Sequence, residues 1–138
     1  MSEQQNLDVV RRAYEAFGKG DIPGLLSLFD PSITWTTPGP PDVPTAGTRK
    51  GPQAVAEFFQ TLNATFEIQR FETREFFAQG DRVVVIGDDT SRVKATGKAI
   101  EFAFVHIFTV RNGKVVAFEE RADTSAVVDE LRKAQART

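Results

Sequence analysis

The sequence predicts an α+β fold: a curved antiparallel sheet with three N-terminal helices packed on its concave face and a further helix at the C-terminus. Three observations carry that expectation. Through residue 65 the apolar residues recur mostly at helical spacing. From Phe66 to Ala122 they alternate instead, punctuated by Gly80-Asp81, Thr96-Gly97 and Asn112-Gly113. Neither a linker nor a repeat divides the chain, so residues 1–138 are expected to form one domain.

Leu7, Val10, Tyr14 and Phe17 share one helical face, with Arg11, Arg12 and Glu15 turned away. On that face Tyr14 reads as packing. Gly18-Lys19-Gly20 ends the helix and, since no strand precedes it, is not a dinucleotide fingerprint. Asp21 caps a short second helix that tolerates Pro23 in its first turn and carries Leu25, Leu26 and Phe29 inward, until Asp30-Pro31 breaks it. Ile33 to Thr37 alternates as a strand. Residues 38–51 hold four prolines in seven positions, which remove backbone donors and fix φ, so no regular structure is expected there. A loop of this length is either a pocket rim or a tolerated insertion. Pro52 opens a third helix with Val55, Phe58, Phe59 and Leu62 inward. In the first long strand Phe66 and Ile68 have one parity, Phe71 and Phe77 the other. One β-bulge between the pairs would bring all four to one side. Asp123 or Thr124 caps the last helix, which carries Val127, Val128 and Leu131.

Composition removes several function classes. Net charge is −2, without the basic stripe that nucleic acid requires. Cysteine is absent, which excludes disulfides, thiol catalysis and thiolate metal sites together. One histidine among scattered carboxylates lacks the ligand count for zinc or iron, and no cofactor is expected. The polar N-terminus lacks a signal-peptide pattern and no apolar run is long enough to span a bilayer, so a cytoplasmic location is expected. Phenylalanine is over-represented at twelve residues, a supply of rings that fills a core or lines a cavity.

The strand from Ile100 to Val110 organises the rest. Its even row is Ile100, Phe102, Phe104, His106, Phe108 and Val110, apolar except for the one histidine. A two-residue Thr96-Gly97 turn would set Gly87 opposite His106 as an open notch, Asp89 opposite Phe104, and Arg92 opposite Glu101 as an exposed ion pair. At the next turn, a three-residue loop ending in Gly113 sets Phe118 opposite His106 and Glu120 opposite Phe104. A two-residue Asn112-Gly113 turn would instead set Glu119 opposite His106. The first closure keeps the large rings together and is preferred.

One apolar face then carries Asp89, His106 and Glu120, the types and low-dielectric setting that acid/base chemistry uses. Each also has a structural reading: a core histidine bonded to backbone, and carboxylates at a solvated rim. Expected ligand-binding positions are Phe17, Trp35, Thr37, Phe58, Phe59, Phe102, Phe104 and Phe118, around a small apolar or amphipathic molecule. On the other face Ala103, Val105, Ile107 and Ala117 make a flat back that a homodimer would bury.

Tyr14-Glu15-Ala16-Phe17-Gly18-Lys19-Gly20-Asp21, Gly51-Pro52, Phe104-Val105-His106-Ile107-Phe108 with Arg111-Asn112-Gly113-Lys114, and Asp123-Thr124 together resemble the SnoaL-like group of the nuclear transport factor two-like superfamily. That group is similar in turn to the ketosteroid isomerases. The resemblance covers nearly the whole chain and implies a cone-shaped α+β fold. It puts His106 where the isomerases carry an acidic donor, Thr37 where they carry an aspartate base, and Ala13 where they carry a tyrosine, with Tyr14 one step out of phase. The base is thus missing, and steroid isomerisation is not expected. Nor do these residues supply the Asp-Arg-Asp set of the limonene-epoxide-hydrolase relatives. Relatives of this fold include cyclases, hydrolases, dehydratases and pockets without chemistry. The expectation is a small-molecule pocket, either an enzyme acting on a small apolar carbonyl compound, a binding module, or an association domain.

Overall fold

The computed structural model describes residues 2–136. Helix α1 (Glu3–Gly18) starts at a reciprocal cap: Ser2 Oγ accepts from the Gln5 N–H, and Gln5 Oε1 accepts from the Ser2 N–H. Asp21 caps α2 (Ile22–Leu26), accepting from the Gly24 N–H at 2.9 Å. This helix is shorter than expected, because Phe29 opens strand β1 (Phe29–Thr37). Pairing in β1 is irregular between Phe29 and Thr34, which is where Pro31, with no N–H to give, sits in the strand.

Part of the 38–51 segment is regular after all. Strand β2 (Gly47–Lys50) pairs antiparallel with Thr34–Thr37. The prolines act only on their own φ and N–H, and the last of them, Pro44, precedes the strand. Helix α3 (Pro52–Thr65) follows, with Val55, Phe58 and Phe59 buried.

Strands β3 (Phe66–Gln79), β4 (Arg82–Val93), β5 (Ala99–Arg111) and β6 (Lys114–Ala122) form the long antiparallel meander. The six-stranded order is β2-β1-β6-β5-β4-β3, with β1 parallel to β6. The curved sheet is therefore mixed, not wholly antiparallel. Strand β3 has two irregularities, at Ile68/Arg70 and Thr73/Glu75, where one bulge was expected. The second flips the strand again, so Phe76 and Ala78 pack on the core while Phe77 is 53% exposed.

The expected register between β4 and β5 is off by two residues. The turn is longer than two residues, with both Thr96 and Gly97 N–H donating to the Val93 carbonyl. Val85 therefore faces His106, Gly87 faces Phe104 and Asp89 faces Phe102. A slip of two preserves each side chain's face. It does break the expected Arg92–Glu101 pair: Arg92 bonds Glu67, and Glu101 meets Arg70. The notch expected beside the imidazole is also filled, because Gly87 lies under the Phe104 ring. Between β5 and β6 the turn is the two-residue Asn112-Gly113 form, with both residues at positive φ. An irregularity at Thr109/Val110 then shifts the pairing by one more residue, and Glu120 faces His106 directly.

The main core joins α1, α2, α3 and the inner sheet face around Val10, Ile33, Val55, Val83, Val85 and Val115. Helix α4 (Ser125–Ala136) packs elsewhere, with Val127 and Leu131 against a smaller cluster of Phe66, Val93 and Ile100. Among the described residues no helix is long and apolar enough to cross a membrane.

Candidate functional site

Between the helices and the sheet lies a cavity of about 140 Å³. Rings from every layer wall it: Phe17 from α1, Trp35 from β1, Phe58 and Phe59 from α3, Phe102 from β5 and Phe118 from β6. Trp35 stacks on Phe118 with centroids 3.8 Å apart, and its buried indole N–H has no hydrogen-bond partner among the described residues. Phe104, expected in the wall, is not there. It is 1% exposed and packed between Gly87, Phe71 and the His106 ring, whose centroid lies 4.0 Å away. The loop after β1 forms part of the wall through Pro38, Val43 and Thr45. Thr37 lies in the wall too, but its hydroxyl donates to the Thr45 carbonyl. Thr124, just before α4, closes the remaining side with Val127 and Val128 of that helix.

Strand alternation turns His106 inward from β5 and Glu120 from β6, and the register sets them face to face. His106 Nε2 lies 2.8 Å from Glu120 Oε2. On the other side of the ring, Tyr14 Oη lies 2.7 Å from Nδ1. Burial, then the negative charge of Glu120, pushes the Tyr14 pKa upward, so the phenol keeps its proton. Its O–H therefore donates to Nδ1, and the Nε2–H donates to the carboxylate. Glu119, the alternative partner, bonds Arg121 instead.

Tyr14 is the residue that sequence reasoning placed in packing. One position from where the resemblance implied a tyrosine, it still reaches the histidine across 92 residues of chain. Its phase on α1 was the one signal available.

Asp89 stands further along β4, buried, with Oδ1 accepting from Ser91 Oγ at 2.5 Å. No hydrogen bond joins it to His106 among the described residues. Burial raises its pKa from the ordinary 3.8 to about 6; the Ser91 hydrogen bond opposes the shift and the charge of Glu120 adds to it. An acid with a raised folded-state pKa destabilises the fold as pH climbs from the unfolded to the folded value. Asp89→Asn should therefore gain stability relative to wild type between about pH 4 and 6, to a ceiling on the order of 3 kcal/mol. Urea unfolding of both proteins across that range measures it; a gain appearing only above pH 7 would contradict the assignment.

The chain is similar to several solved structures. A nuclear transport factor two-like protein from Burkholderia xenovorans is 40% identical, with 94% of this chain and 97% of that one covered at a TM-score of 0.85. Another from Burkholderia pseudomallei is 32% identical, over 94% and 97%, at 0.84. A protein named TerC, co-crystallized with polyporic acid, is 32% identical over 91% and 96%, at 0.82. No curated protein matches the chain. A model of the SnoaL-like domain matches residues 10–118, which take in the His106 strand and most of the cavity wall. The chain belongs to the SnoaL-like domain family, within the nuclear transport factor two-like superfamily.

Proposed function

We propose that the protein is an acid/base enzyme acting on a small, largely apolar carbonyl compound held in the cavity. One observation carries this: both ring nitrogens of buried His106 are bonded to cavity-wall side chains, so Tyr14, His106 and Glu120 form a continuous proton path. A proton leaving the carbon beside the ligand's carbonyl is taken up by Tyr14 Oη as the phenol's own proton moves to Nδ1, and its electron pair stays on the ligand as an enolate. The imidazolium so formed is held by the Glu120 carboxylate at Nε2, and the reverse step returns a proton to another ligand atom. His106 is thus the middle of the relay, and its ends meet the ligand. TerC's co-crystallization with polyporic acid supports a small organic molecule as the occupant.

The test has two parts. Mass spectrometry of the purified protein identifies any retained molecule. Incubation of that molecule, or of 2-tetralone as a stand-in ketone, in deuterated water then reports proton exchange. Acceleration over buffer supports catalysis. A retained carbonyl compound that gains no deuterium favours binding without turnover.

The sheet's outer face supports a homodimer. Val105, Ile107 and Ala117 are only half-buried there and Ala103 is exposed, beside an ionic ladder of Arg70, Glu72, Arg74 and Asp88. Sedimentation equilibrium at micromolar concentrations is expected to show dimer; monomer alone at tens of micromolar, where even weak association registers, would count against it.

A further inference from the structure

We propose that Asp89, held by Ser91 beneath α4, is a second recognition point of the cavity that selects uncharged, hydroxyl-bearing ligands and turns away carboxylates. This rests on reading the cavity as the ligand site. It does not need the relay to be catalytic.

A carboxyl buried to this degree is ordinarily paired with a cation or a dense set of donors. Asp89 has neither. It is 9% exposed; among the described residues its carboxylate accepts one hydrogen bond, from Ser91 Oγ to Oδ1, and no lysine or arginine lines the cavity. Across the sheet it faces Phe102 on one side and Phe71 on the other. Thr124, just before α4, and Val127 and Val128 of α4 close the same cavity. The ligand is thus the partner that the fold leaves Asp89 to find.

Charge decides what that partner is. The titratable groups in the wall are Tyr14 from α1, Asp89 from β4, His106 from β5 and Glu120 from β6. Strands β1 and β3, helices α2, α3 and α4, and the loop after β1 add none. Ionised, Asp89 and Glu120 make the interior negative with no fixed cation from lysine or arginine to offset them. A carboxylate ligand is then repelled. A hydroxyl donates to ionised Asp89 and accepts from the protonated form, so it suits both states. Affinity for a carboxylate should fall as pH rises through about 6, where Asp89 ionises, while affinity for a hydroxyl stays level.

Equilibrium dialysis of the full chain with 2-naphthol and 2-naphthoate, probes of similar shape, tests this at pH 5 and pH 8. At pH 8 the wild type should bind the naphthol at least ~10-fold more tightly, and the gap should narrow at pH 5. Asp89→Asn should bind naphthoate ~10-fold more tightly than wild type at pH 8, so that the preference for naphthol collapses. Equal affinities for the two probes in wild type at pH 8 would overturn the proposal. So would an unchanged ratio in the variant, or failure of the naphthol to bind. Because the readout is a binding ratio, it stands apart from the proton-exchange result that decides the relay.

Discussion

Replacing His106 with phenylalanine is expected to cut proton exchange in the bound carbonyl compound by ~10²-fold or more. Among the described residues this ring alone connects Tyr14 and Glu120, and phenylalanine can neither take the phenol's proton nor present one to the carboxylate. Stability should change far less, by under about 1 kcal/mol, because both stranded groups face a cavity that water can enter. Packing is largely kept, since the new ring inherits the stack on Phe104. Glu120→Gln isolates the charge: its amide oxygen still accepts from Nε2–H, yet it no longer steadies an imidazolium. Exchange should fall while the urea midpoint holds. A His106→Phe protein that loses about 3 kcal/mol or more of stability and exchanges at the full rate would leave a structural histidine without chemistry.

Gly87→Ala is expected to be the most damaging small substitution in the sheet, costing about 3 kcal/mol or more and lowering Tm by about 10 °C. A methyl group there would overlap the Glu72 carbonyl oxygen and stand 2.5 Å from Phe104 Cζ. The first obstacle is backbone of the neighbouring strand and the second a fully buried ring, so neither can yield cheaply. Because Phe104 supports the His106 ring, loosening it should also weaken the hydrogen bonds to Tyr14 and Glu120. Calorimetry measures the first effect. A Tm within about 2 °C of wild type would show that Phe104 and β3 move aside more easily than their packing indicates.

The sequence by itself determined which face of each long strand is inner, and hence that His106, Asp89 and Glu120 share one. Side-chain alternation has period two. Misjudging the β4–β5 turn by two residues therefore moved every partner along without moving any side chain to the other face. Around Asn112-Gly113 the expected loop was one residue too long, yet an irregularity at Thr109/Val110 restored Glu120 to the inner face. Local chemistry also marked the cap at Asp21, the helix start at Pro52 and the aromatic supply of the wall. Only the tertiary structure decided the contacts. Pairing across strands depends on turn length and bulges, whose energies differ by little among alternatives that the sequence tolerates equally. It put Gly87 under Phe104 and withdrew that ring from the cavity. The partnership of Tyr14 with His106 lies further from local reach. It depends on the rotation of α1 about its axis as it docks on strands of which the first, β3, begins at Phe66, 48 residues after the helix ends. No propensity or spacing within either segment encodes that angle. It follows from how the whole set of rings packs to exclude water.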